Sequence, residues 1–127
     1  MLSFEPEFDA FYEPHRVRAT CVGDIALWVA ALAAGTFLSP ATRQPMLAVH
    51  ATIDDDSAAP AYGYGYGWFT GTVSGRRVLY HPGDNAGFKA LNAWFPDSDQ
   101  HIVVLSNEES TDVELIVREL LESKFSR

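Results

Sequence analysis

The 127-residue chain predicts an α/β fold of the α+β type: two helices, then an antiparallel sheet of about four strands, then a long C-terminal helix. Three observations predict it. Apolar residues recur at helical spacing before residue 47 and after residue 111, and β-branched and aromatic runs fill the interval. The links between those runs are short and polar, which joins neighbouring strands antiparallel.

Composition bounds the function. One domain is expected at this length, and 47% hydrophobic with 13% aromatic residues argues against a disordered chain. A net charge of -8, from 9 basic and 17 acidic residues, argues against nucleic acid and anionic membrane as partners. The one cysteine, Cys21, rules out an internal disulfide and reads as a small helix-start residue, since no histidine lies near it in sequence. No stretch approaches the roughly 20 apolar residues of a membrane span. Met1 to Glu7 lacks the basic start of a signal peptide.

The elements follow in order. Residues 1–15 carry Phe4, Phe8, Phe11 and Tyr12 among acids and prolines without a sustained period, an irregular lead-in. Thr20 is the candidate N-cap of the first helix, Asp24 sits where the helix dipole favours a carboxylate, and Ile25, Trp28, Val29 and Leu32 share one face. Gly35 ends it. Ser39-Pro40, a cap followed by a proline at the first helical position, starts a short helix through about Leu47. Asp54 to Pro60 is an acidic surface loop; Asp54-Asp55-Asp56 lacks the glycine and distal glutamate of a calcium loop, so no metal is expected there.

Tyr64, Tyr66, Trp68, Thr70 and Thr72 alternate with Gly65, Gly67, Phe69 and Gly71. That period of two predicts one strand over 64–72, with a bulky face and a bare face that another backbone can approach closely. The Gly63-x-Gly65-x-Gly67 spacing opens no helix and is no phosphate loop. Ser74-Gly75 turns into a strand over Arg76 to Pro82, followed by strands over 87–95 and 101–107. The last is apolar at nearly every position, which predicts a central strand buried on both faces. Thr111-x-x-Glu114 forms a capping box, and Val113, Ile116, Val117, Leu120 and Leu121 make one stripe opposite Glu114 and Arg118. A helix lying flat on the sheet closes the chain.

The chemistry concentrates where the strand from Arg76 runs out, at His81-Pro82-Gly83-Asp84-Asn85-Ala86-Gly87-Phe88. A proline in a strand fits only where no ladder partner needs its N–H, as at an open edge. Backbone N–H groups two residues apart face the same side, so the Asp84 N–H points where Pro82 has none. On these residues alone His81 reads either as a titratable group facing a groove or as a strand-end histidine in water. Asp84 and Asn85 read equally as turn residues. His15, His50 and His101 carry no motif, lack metal-ligand spacing and are expected at the surface.

Together with Lys89 to Phe95, the Pro96-Asp97-Ser98-Asp99 turn and the run Ile102 to Asn107, this octapeptide resembles the C-terminal part of the serine β-lactamase-like hydrolases. Those include class C β-lactamases, DD-peptidases and related esterases. In that family a Lys/His-x-Gly triplet is the third of three active-site motifs, followed in esterase-like members by x-x-x-Gly-Phe. The resemblance implies that His81 stands near a nucleophilic serine and that Gly83 keeps a side chain out of the substrate carbonyl's path. It also implies that the Asp84 backbone N–H is one of two oxyanion-hole donors.

The other two motifs are missing: no serine here has lysine three residues on, and no tyrosine has asparagine two residues on. The expectation is therefore a single partial domain, with a lead-in over 1–15 and the C-terminal portion of a β-lactamase-like domain over 16–127. Its parent would hydrolyse a small-molecule ester, amide or β-lactam without a cofactor, and the chain alone would be inactive. Uncovered sheet edges would make it self-associate. The alternative is a non-catalytic peptide- or protein-binding module that uses Tyr62, Tyr64, Tyr66 and Trp68, residues that strand packing explains equally well.

Overall fold

Helix α1 (Val22–Ala34) begins after Cys21, whose extended backbone makes it the N-cap in place of Thr20. The computed structural model describes residues 20–54 and 61–125, so the lead-in over 1–15 and most of the acidic loop lie outside it. Gly35 adopts φ 71°, a left-handed conformation that lets its N–H and that of Thr36 reach the Leu32 and Ala31 carbonyls and close α1. Helix α2 (Pro40–Leu47) starts as its sequence directs, with the Ser39 hydroxyl accepting from the Thr42 N–H at 3.3 Å.

The strands are β1 (Ala51–Thr52), β2 (Ala61–Tyr64), β3 (Phe69–Val73), β4 (Arg76–Asn85), β5 (Phe88–Phe95) and β6 (Gln100–Ser106), and helix α3 (Val113–Phe125) follows. Among the described residues they form one antiparallel sheet of six strands in sequence order, where about four were expected. Part of the difference is β1. The rest comes from the stretch expected as a single strand over 64–72, which is a hairpin: the Gly65 N–H donates to the Trp68 carbonyl at 2.8 Å, and Gly67 turns at φ 83°. The alternating glycines serve a reversal instead of a bare face. Close approach still occurs beside them, because a Cβ on Gly63 would collide with the Val49 side chain and one on Gly65 with the Ala48 carbonyl.

Alternation along β4 and β5 sorts the core into two layers. Val78, Tyr80, Leu91, Ala93 and Phe95 meet Val113, Val117 and Leu121 of α3. Leu79 and Trp94 point the other way and, with Trp68, meet Val29 and Leu32 of α1. Each fully buried apolar side chain stabilises this arrangement by about 1.5–3 kcal/mol. The start of α3 differs from the expected capping box. Asp112 is the cap, taking the Leu115 N–H at 2.9 Å, and the Thr111 hydroxyl is instead 2.7 Å from that of Ser106.

A second correction concerns β6. Its apolar sequence predicts a central strand, but among the described residues it stands at the end of the strand order, pairs with β5 alone, and is half-buried over most of its length.

Candidate functional site

β4 is ten residues long, and its two neighbours cover different parts of it. β3 pairs with Arg76 to Tyr80, while β5 pairs with Leu79 to Asn85. Among the described residues, the segment His81–Asn85 therefore has a strand on one side only. Its bare flank exists because β3 starts at Phe69, after the Gly65–Trp68 turn has carried the chain away.

Pro82 fixes which atoms face that flank. It lies opposite Leu91. Hydrogen-bonded antiparallel pairs exchange two N–H···O bonds, and a proline has no N–H to exchange, so this is a non-hydrogen-bonded pair. The bonded pairs are then His81 with Asn92 and Gly83 with Ala90. Main-chain groups of Pro82 and Asp84 point away from β5, and the Asp84 N–H is a donor on the open flank.

The side chains of the triplet lie as follows. His81 is exposed, 5.8 Å from the Phe69 ring between centroids. Its Nδ1 is 2.7 Å from the Pro82 carbonyl oxygen. A carbonyl only accepts, so Nδ1 carries the proton and Nε2 keeps its lone pair in the neutral ring. Gly83 sits where a Cβ would approach the Ala90 Cβ to 3.2 Å, tighter than ordinary contact. The Asp84 carboxylate, 66% exposed, pairs across the strands with Lys89. That exposed pair contributes at most about 1 kcal/mol.

Two polar residues near the triplet escaped sequence reasoning. Asn92 lies opposite His81, and its Oδ1 is 2.6 Å from His101 Nε2. His101 is thus a half-buried, hydrogen-bonded group on the sheet and no surface residue, and burial pushes its imidazole pKa below 6.5. The available signal was Asn92 itself, a lone amide in the apolar run Ala90 to Phe95. His50 is exposed as expected, stacked 4.3 Å from Tyr66. Among the described residues no three His, Cys, Asp or Glu side chains are grouped to hold a metal ion. Nor is any described helix long and apolar enough to cross a membrane.

An imidazole with a free lone pair, a glycine and an outward N–H along one open flank recur in the order of the His-x-Gly motif. The Beta-lactamase family model matches residues 3–123. The chain belongs to the beta-lactamase family.

No curated protein matches it. Among solved structures, the penicillin binding protein from Bacillus halodurans is similar, with a TM-score of 0.65 and 24% identity over 81% of this chain. At that identity the likeness is one of fold. The match covers 30% of the neighbour's chain, so this beta-lactamase-family chain spans less than a third of it. Five of the described serines hold local hydrogen bonds: Ser39 caps α2, Ser98 bonds Gln100, Ser106 meets Thr111, Ser110 bonds Glu108, and Ser123 bonds the Leu120 carbonyl.

Proposed function

We propose that this chain is the C-terminal portion of a serine hydrolase that cleaves a small-molecule ester, amide or β-lactam through an acyl-enzyme, and that it supplies the His-x-Gly wall of the active site. In this reading His81 faces the reacting serine or its proton shuttle through Nε2. Gly83 leaves room for the substrate's acyl group, and the Asp84 N–H stabilises the oxyanion. The nucleophile, its lysine and the second oxyanion donor come from a segment outside this chain. Residues 16–127 are then one part of a domain, and the chain by itself does not turn over.

The observation that carries the reading is the flank of β4 left open from His81 to Asn85, with Pro82 directing the Asp84 N–H into it. Its test uses a full-length hydrolase containing this chain. Asp84→Pro deletes the outward N–H without removing a ladder bond to β5, and Asp84→Ala deletes the carboxylate but keeps the N–H. The expected result is a loss of about 10²–10³-fold in acylation rate for Asp84→Pro and a small change for Asp84→Ala. Equal effects of the two substitutions sink the assignment.

The second reading, a peptide- or protein-binding module, draws on Tyr62 and Tyr66, which are 51% and 61% exposed. Loss of a peptide-binding signal on replacing both by serine, in a chain that never contributes to hydrolysis, would favour it.

A further inference from the structure

Asp84 brings two groups of opposite effect to one residue. Its main-chain N–H is the donor on the flank of β4, and its side chain is an acid that is 66% exposed. In the proposed hydrolase that N–H meets a developing oxyanion, so a carboxylate on the same residue lies roughly 6–7 Å from the charge the site has to stabilise. Unit charges at that separation near a protein surface alter a rate by about tenfold, and the gap is shorter than the roughly 8 Å over which physiological salt screens them. An unopposed acid there works against the donor.

The fold supplies the opposition. Pro82 and Leu91 form a non-hydrogen-bonded pair, and two residues further along the ladder Asp84 and Lys89 form another, the kind in which facing side chains stand closest. The Lys89 ammonium pairs with the Asp84 carboxylate across this step. Lys89 is the more covered partner, 25% exposed, on a strand with β4 on one side and Ser106 of β6 opposite it on the other. Glu108, two residues past Ser106, directs its carboxylate elsewhere and accepts from the Ser110 hydroxyl at 2.7 Å.

Direction matters as much as charge. Lys89 stands on β5, and the Asp84 N–H points away from β5. The pair therefore holds the carboxylate on the side of β4 opposite the donor. Without the ammonium, the Asp84 side chain is free among its staggered rotamers, and one of these turns the acid onto the flank. This contact lies wholly within the described residues, whatever the segment outside this chain adds to the site.

We infer that Lys89 is a positioning residue for acyl transfer: it holds the Asp84 carboxylate toward β5 and offsets its charge, which leaves the Asp84 N–H free to donate to a forming oxyanion. The inference rests on the hydrolase reading above. It also bears on substrate class, because an acid released onto the flank repels acyl groups that carry a carboxylate near the scissile carbonyl.

The test uses a full-length hydrolase containing this chain and two short acyl esters that differ only in such a carboxylate. Lys89→Met keeps most of the stem and deletes the charge. It is expected to lower the acylation rate constant about tenfold on both esters and to raise KM for the anionic ester alone. Lys89→Arg keeps the charge and is expected to hold the parent's rate to within about twofold. Adding Asp84→Asn to Lys89→Met removes the unopposed acid and recovers most of the lost rate, which a merely structural lysine would not allow. The Lys89→Met defect also shrinks in about 1 M salt. Should Lys89→Met fail to fold, Lys89→Gln takes its place. The inference is overturned by a full acylation rate in Lys89→Met, by a loss that Asp84→Asn does not reverse, or by an equal loss in Lys89→Arg. Each of those results leaves the hydrolase reading standing so long as Asp84→Pro stays far slower than Asp84→Ala, whereas equal rates for those two sink both.

Discussion

His81 and His101 sit two strands apart and have opposite surroundings. His81 is exposed and bonded only to its neighbour's carbonyl, so His81→Ala removes little buried area. It is expected to shift the unfolding free energy of the chain by less than about 1 kcal/mol, read from urea midpoints. A loss of several kcal/mol would make the imidazole a structural group. His101 is half-buried against Asn92, and its pKa is lowered because burial disfavours the charged ring. The unfolded chain then binds the proton more readily than the folded one. The contribution of His101 is present above about pH 6.5 and is lost as pH falls from there through the lower folded value. A His101→Gln chain is expected to lose less stability than the parent between about pH 7.5 and pH 5.5. Equal losses would remove His101 from the account.

At the scale of elements, the β2–β3 hairpin shows how a pattern misleads. Tyr64, Tyr66 and Trp68 alternate with glycines as in a strand, yet the glycines at 65 and 67 are where the chain reverses. Periodicity registers side-chain size, and it cannot tell a bare face from a backbone needed at close quarters. Gly65→Ala checks this: the added methyl meets the Ala48 carbonyl, and the contact between this turn and the C-terminal end of α2 must give way at a cost of about 1–3 kcal/mol. A thermally silent substitution would mean that the approach is not tight. Other elements were legible because local chemistry dictates them. Gly35 and Ser39 end and begin helices by their own geometry, and Val78 to Tyr80 and Leu91 to Phe95 form strands by sheer apolar density. The cap of α3 fell on Asp112 because Thr111 is drawn into a bond with Ser106. Asn92 with His101 was illegible because it depends on the β5–β6 register.

At the scale of the whole molecule, the chain corresponds to 30% of the penicillin binding protein it resembles, and its sequence has no Ser-x-x-Lys. Purified chain is expected to leave a chromogenic cephalosporin and a nitrophenyl ester unhydrolysed and to resist a fluorophosphonate probe. Stoichiometric labelling of any serine would place a nucleophile inside these 127 residues. Among the described residues the sheet also leaves one flank unpaired along β6 and along the far half of β4, two stretches of very different character. In the latter, Pro82 deletes every other donor that an incoming strand would count on, and the exposed Asp84 carboxylate adds a charge beside the one that remains. The flank therefore acts as its own gatekeeper: it can hold a single carbonyl at Asp84 while refusing the repeating ladder through which sheets polymerise.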